Sequence, residues 1–213
     1  MIKIIIFDYG GVIGNDPTNY ILRAVSRKFG INVDRIKAEF LKFNILLEKN
    51  QILQENFWKK FSENLGITDY KKLRKAWINE FKKHAKINKK MLFLIKKLKN
   101  HYKLCLLSNR VIFYRKSSIT KSLRRTFPII VYSFNVKMRK PEKKIYLYIV
   151  KKLRSKVQEC LIVDDQEEKL FYPRKLGMKV IHFETFLKFK EELSEKLNNK
   201  NDLFNLVKKS SKR

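Results

Sequence analysis

Five short apolar runs, each stopping abruptly at polar or turn residues and separated from the next by helical periodicity, constrain this chain more than any other feature. The first, Lys3-Ile4-Ile5-Ile6-Phe7, is β-branched and ends in Asp8-Tyr9-Gly10-Gly11. That is the pattern of a strand buried on both faces and followed by a glycine turn. Tyr102–Leu107, Pro128–Tyr132, Cys160–Val163 and Val180–Phe183 read the same way. Between them lie Met91–Leu98, an amphipathic helix, and Ser117–Thr126, also helical. A further helix opens at Lys140-Pro141-Glu142, with proline in the first turn where its missing N–H costs nothing. Another ends at Leu176 with Gly177 as its cap, and one more begins near Glu184. Strands alternating with helices at this spacing imply an α/β fold: a Rossmann-like, doubly wound parallel sheet of about five strands with helices on both faces.

One stretch departs from the alternation. From residue 17 to 86 apolar residues recur only at helical spacing, as in Ile21, Leu22, Val25 and Phe29, or Phe57, Trp58, Phe61 and Leu65, with breaks near Gly30, Asn50 and Gly66. The expected organisation is a core built from residues 1–16 and 87–200, an all-helical insertion over 17–86, and a basic C-terminal tail over 201–213 that frays. Trp58 and Trp77 fall on the apolar stripes of the insertion and read as packing.

Hydrophobic residues make up 44% of the 213 positions, enough to bury a core without disulfides or metal staples. No run approaches the ~18 apolar residues of a membrane span. The N-terminus lacks the pattern of a signal peptide. Cys105 and Cys160 sit inside apolar runs and read as buried thiols without metal spacing. A cytoplasmic protein with no membrane partner is expected. The formal net charge of +30, from 50 basic and 20 acidic residues, leaves two readings. Such a field attracts polyanions, so a nucleic-acid partner is possible. Alternatively, a coding bias toward lysine loads every solvated face. Between Phe81 and Gln158 there are 24 Lys/Arg and one acid, Glu142, but they punctuate helical patterns and form no nucleic-acid recognition motif.

In open parallel sheets, ligands bind beyond the carboxyl ends of the strands, where strand order switches. Three strands end there in polar residues: Asp8, Ser108-Asn109 and Asp164-Asp165. An ordinary strand-to-helix cap would account for one such end, less readily for three. Carboxylates gathered at one sheet edge repel one another and call for a hard cation, which suits Mg2+. With charge so neutralised, one aspartate can attack a phosphoryl group and the aspartyl-phosphate can then be hydrolysed. Ser108 and Asn109 can donate to phosphoryl oxygens, and Lys140 can supply a cation.

Four segments in order then resemble the motifs of the haloacid dehalogenase superfamily: Phe7-Asp8-Tyr9-Gly10-Gly11-Val12, Leu107-Ser108-Asn109, Met138-Arg139-Lys140-Pro141 and Val163-Asp164-Asp165. The insertion after the first motif resembles the cap of the subgroup with a small helical cap. The resemblance implies Asp8 as nucleophile, Ser108 as phosphoryl ligand, and Lys140 holding nucleophile and phosphate. It implies a Mg2+ site formed by Asp8, the Gly10 carbonyl, Asp165, and Asp164 either as a second ligand or as the partner of Lys140. The family usually carries a second aspartate two residues after the nucleophile as general acid and base; here it is Gly10, as in a branch with an Asp-x-Gly-x-Val motif. Asp16 is the nearby carboxylate that could substitute, or else a turn residue before Pro17. After the fourth motif, Gln166-Glu167-Glu168-Lys169 replaces the usual orienting residue.

The implied function is a Mg2+-dependent phosphatase of a small phosphorylated metabolite. The alternatives are an impaired phosphate- or nucleic-acid-binding descendant and a phosphatase of polyanionic substrates. A dehalogenase fits less well, because paired Asp164-Asp165 would then only add repulsion. His84, His101 and His182 show no ligand spacing. Arg110, next to Asn109, reads equally as an anion ligand or as one more surface base.

Overall fold

A computed structural model describes residues 1–114 and 117–197; the sequence-predicted basic tail, 201–213, lies outside them. Five strands form one sheet: β1 (Ile4–Phe7), β2 (Lys103–Ser108), β3 (Ile129–Tyr132), β4 (Cys160–Asp164) and β5 (Lys179–His182). All pairings are parallel and the order is β3-β2-β1-β4-β5. The chain leaves β1 toward β2 and returns to its other side as β4, so the switch in strand order falls beside β1. Each predicted strand is present within a residue or two.

Alternation along the strands sends side chains to two cores. Ile5, Phe7, Leu104, Leu106, Leu161, Val163 and Ile181 face one side. There they meet α5 (Lys89–Leu98), α6 (Ser118–Thr126) and α10 (Phe186–Lys196) through residues such as Ile95, Leu123 and Phe189. Ile4, Ile6, Cys105, Leu107, Cys160 and Ile162 face the other side, against α8 (Lys143–Leu153) and α9 (Phe171–Leu176). Both cysteines are free and buried, as their apolar settings required.

Between β1 and α5 the chain forms α1 (Thr18–Phe29), α2 (Val33–Glu48), α3 (Gln54–Asn64) and α4 (Tyr70–His84). These helices share a third core around Trp58, Phe61 and Trp77. Their breaks coincide with left-handed backbone at Gly30, Asn50 and Gly66 (φ 67°, 52° and 74°). This core also takes Val111, with Phe113 and Tyr114 packed against it, from the segment after β2. Periodicity did not reveal that contribution, because three residues in a loop carry no period. The two chain passages joining the insertion to the sheet run side by side. Asn15 accepts from the Lys86 amide (2.7 Å) and donates to the His84 carbonyl (3.0 Å), while the Asn88 amide donates to Ile13 (2.8 Å).

Pro141 differs from the sequence expectation. Helix α8 starts at Lys143 with Glu142 before it, and the Lys140–Pro141 bond is cis. Proline therefore sits in a turn closed by Glu142 N–H to Arg139 C=O (2.8 Å), ahead of the helix. The reason lies in the preceding residue, whose backbone is bonded sideways to Asn109 and so cannot enter a helix. Among the described residues no helix is long and apolar enough to cross a membrane.

The central strand sets one stability test. Ile6, with no exposure in the middle of β1, should lose about 2–5 kcal/mol on replacement by alanine. Leu147→Ala, on the exposed side of α8, should stay within about 0.5 kcal/mol of wild type in urea unfolding.

Candidate active site

Strand register decides which side chains meet. Phe7 lies level with Leu106 and Val163, so the next residues along β1 and β4, Asp8 and Asp164, emerge together at the carboxyl edge, with Ser108 ending β2 two residues beyond Leu106. The Asp8 amide donates to the Val163 carbonyl (2.9 Å), which carries the ladder one step past the end of β1. Asp8 and Ser108 are each 4% exposed, and Asp164 and Lys140 are fully buried. The edge is thus polar and almost dry.

Lys140 lies at the centre. Its Nζ pairs with Asp8 Oδ1 at 2.8 Å and also with Asp164 Oδ2. The second carboxylate oxygen of Asp164 accepts from the Gln166 amide (3.1 Å). Asp164 therefore contacts Lys140, one of the two arrangements the sequence left open. Asn109 holds the lysine from its other end. Its Oδ1 accepts from the Lys140 amide (2.9 Å) and its Nδ2 donates to the Lys140 carbonyl (2.8 Å). The Asn109 side chain, expected to reach phosphoryl oxygens, is engaged in this two-point clasp.

The carboxylates of Asp8, Asp164 and Asp165 present oxygens all within 4.8 Å of one another. Burial, with the negative charge of neighbouring carboxylates, holds Asp8 above the ordinary aspartate range, while Lys140 opposes the rise. Asp165 is pushed up to about 6, first by burial and then by Asp8 and Asp164. Its Oδ1 is buried with no hydrogen-bond partner. An orphaned carboxylate oxygen in an oxygen-only cluster is what a hard divalent cation would satisfy. Gly11 makes the approach possible. Its φ is 74°, and a Cβ there would fall 2.0 Å from Asp165 Oδ2. At Gly10 the backbone is ordinary, and a Cβ would meet nothing nearer than Asp8 Oδ2 at 3.9 Å.

A cavity of about 380 Å³ lies over this edge, beneath the helical insertion. Asp8, Gly10, Ser108, Asn109 and Asp165 line it, with Asp16, Glu48, Arg110 and Arg139 on other walls. Several of these walls were not legible in sequence. Glu48, at the end of α2, pairs with Arg139 Nε at 2.5 Å, and Lys49 pairs with Glu142 at 2.9 Å, tying the insertion to the segment that carries Lys140. A buried acid on a helix with an apolar stripe carries no sequence signal of its own. Asp16 Oδ1 accepts from the amide and hydroxyl of Thr18 (2.9 and 2.6 Å), the behaviour of a turn residue. His182, at the end of β5, meets the Asp165 carbonyl through Nε2 at 3.0 Å and so braces the acid loop from below. Arg110 is not a surface base: it is 5% exposed and set among aromatic rings.

Comparison with known proteins agrees with this geometry. The family described as haloacid dehalogenase-like hydrolase matches residues 5–183. A D-ribitol-5-phosphate phosphatase of Bacteroides thetaiotaomicron is 24% identical over 208 residues, covering 93% of this chain and all of the relative. A crystal structure of a haloacid dehalogenase family enzyme from the same organism, in complex with magnesium, superposes with a TM-score of 0.76 at 22% identity, covering 90% of this chain and 98% of that one. A haloacid dehalogenase phosphatase from Thermococcus onnurineus gives 0.60 at 21% identity, with 86% of each chain covered.

The cluster predicts a proton-linked cation response. Metal binding requires ionised carboxylates, and a group near 6 is about half protonated at that pH. Mg2+ titrated into the protein at pH 6 should release protons, seen as a calorimetric heat that changes with buffer ionisation enthalpy, and should release fewer at pH 8. Gly11→Ala, by displacing Asp165, should remove the Mg2+ heat at both pH values.

Proposed function

Since this chain belongs to the haloacid dehalogenase-like hydrolases, we propose that it is a Mg2+-dependent phosphomonoesterase whose nucleophile is Asp8. The observation that carries the reading is Lys140 Nζ held between Asp8 and Asp164 at the carboxyl edge, with the unpartnered oxygen of Asp165 alongside. The three carboxylates carry −3 and the ammonium +1, so the cluster retains −2, which matches one divalent cation.

In this reading Asp8, Asp165 and the Gly10 carbonyl hold Mg2+, and Asp164 is the partner of Lys140 with an edge on the same cluster. When bound, the ion supplies positive charge to the carboxylates and to the phosphoryl oxygens. Asp8 Oδ2, the oxygen not paired with Lys140, attacks phosphorus, and the bond from phosphorus to the alcohol oxygen breaks. Ser108 and the neighbouring backbone amides donate to the phosphoryl oxygens, and Lys140 neutralises charge as it builds on them. Water then attacks the aspartyl-phosphate, releasing phosphate and restoring Asp8. Asn109 acts through Lys140, fixing its backbone so that Nζ reaches both acids.

The substrate in this reading is a small phosphorylated metabolite. The size of the cavity and the activity named for the D-ribitol-5-phosphate phosphatase relative both support that class. Residues 17–86 act as the cap, and the pairs Glu48–Arg139 and Lys49–Glu142 fasten it over the site. Because Gly10 supplies no proton donor, departure of a poor leaving group is unassisted from that position.

Phosphate release from p-nitrophenyl phosphate should require Mg2+, stop with EDTA, and fall by more than about 10³-fold in Asp8→Asn. Folded, Mg2+-loaded protein that releases no phosphate from any phosphomonoester would overturn the reading. Gly10→Asp meets no steric bar and places a carboxyl beside Asp8. It should raise kcat for alkyl phosphates by about 10²-fold or more. It should change p-nitrophenyl phosphate turnover little, since that leaving group needs no proton.

A further inference from the structure

Arg110 is a buried cation that the proposed chemistry does not use. Its guanidinium lies 5.5 Å from the Tyr9 ring centroid, 5.7 Å from Tyr132, and 6.0 Å from both Phe81 and Tyr114. Nη2 donates to the Tyr114 carbonyl (3.2 Å) and to Ser117 Oγ (3.0 Å). Among the described residues Nη1 is buried and makes no hydrogen bond of normal geometry, although the Tyr132 side chain interacts with the guanidinium. Among the described residues no carboxylate pairs with it, although Arg110 lines the same cavity as Asp8 and Ser108. The other cations of the site are answered: buried Lys140 by Asp8 and Asp164, half-buried Arg139 by Glu48.

A guanidinium taken out of water needs a counter-charge or a full set of acceptors, and ring faces replace only part of what is lost. Here one of its nitrogens lacks a well-placed acceptor, and the residue lines a substrate cavity. The position also separates it from the reacting phosphorus. Asp8, Lys140 and Ser108 serve the phosphoryl end. Arg110 sits where Phe81 of α4 stacks on Tyr114 of the post-β2 segment, their centroids 3.6 Å apart, at the seam between insertion and sheet. The leaving part of a substrate would lie toward that seam.

We propose that Arg110 is a specificity-determining residue that receives a second oxyanion of the substrate, a carboxylate or a second phosphate carried by the leaving group. This rests on the phosphomonoesterase reading and narrows it: the preferred substrate is a phosphorylated acid or a bisphosphate, whereas a neutral polyol phosphate would leave Nη1 unanswered. A planar guanidinium offers paired N–H donors that suit either oxyanion.

Binding is separated from turnover by working in the Asp8→Asn protein with Mg2+. Calorimetry would compare 3-phosphoglycerate with glycerol 3-phosphate, which differ in carboxylate against hydroxymethyl, and fructose 1,6-bisphosphate with fructose 6-phosphate. The expected result is at least tenfold tighter binding of the member of one pair that carries the second anionic group. The first pair identifies a carboxylate and the second a phosphate. Arg110→Met, which keeps the bulk within the rings, should erase that preference while leaving the affinity of the member without the second anionic group within about threefold. Equal affinity within both pairs overturns the proposal without any variant, as does an Arg110→Met protein that keeps the preference. Turnover of wild-type protein on the same compounds reports separately on the phosphatase reading. Discrimination in binding with no phosphate release would sink that reading and leave the anion site standing.

Discussion

Lys140 is buried without exposure between two carboxylates, and the rest of the site is arranged around that contact. An ammonium in such a place is tolerable only if its partners are ionised and held. Removing one partner of a buried pair costs ~3–5 kcal/mol, because the other charge is left stranded. Each residue of the triad is accordingly fixed from outside it. Asp8 and Asp164 stand at the ends of adjacent strands in register, the Gln166 amide holds the far oxygen of Asp164, and Asn109 clasps the lysine backbone at both its amide and its carbonyl. Asn109 follows β2, so three strands and the turn before α8 are locked to one another through a single lysine, by its ammonium and its backbone.

That lock also reaches the helical insertion. Arg139 precedes Lys140 and Glu142 follows it by two residues. Both bond across to the end of α2, at Glu48 and Lys49. Glu48 is buried, and burial lifts its carboxyl above the usual range while Arg139 pulls it back. The pair is therefore meaningful only when both halves are docked, since either charge alone would face a partly dry cavity. Movement of the insertion and placement of Lys140 are coupled by this arrangement, through a few residues of chain.

The fold was largely readable because its determinants are periodic. Runs such as Ile4–Phe7 and Cys160–Val163, each stopping at an acid, announce parallel strands and their functional ends at once. Gly30 and Gly66 mark helix ends by a backbone geometry few other residues adopt. Asp8, Ser108, Lys140 and Asp164-Asp165 were found as strand ends and as a motif series, and they do converge on one edge. What escaped were relations that need three dimensions. The role of Asn109 depends on a loop thirty-odd residues away, Glu48 looks like any helical acid, and Arg110 in sequence is one base among 50. Pro141 misled because X-Pro-Glu before a helix reads as a first turn, whereas the sideways bonding of Lys140 holds it outside.

The two glycines after Asp8 show how steric and chemical requirements part company. At Gly11 both the positive φ and the nearness of Asp165 forbid a side chain, so the acid cluster itself demands glycine. At Gly10 neither applies: the backbone is one that any residue adopts, and the nearest atom to a would-be Cβ is 3.9 Å away. The absence of an acid at position 10 therefore does not follow from packing. In the proposed mechanism it belongs to the chemistry of the leaving group, and a site that gives up a proton donor there is suited to an alcohol that departs without one, or to one whose proton comes from the substrate's own neighbouring groups. In that proposed mechanism, geometry around Lys140 governs how phosphorus is attacked, while position 10 and the cavity wall beyond it govern what can leave.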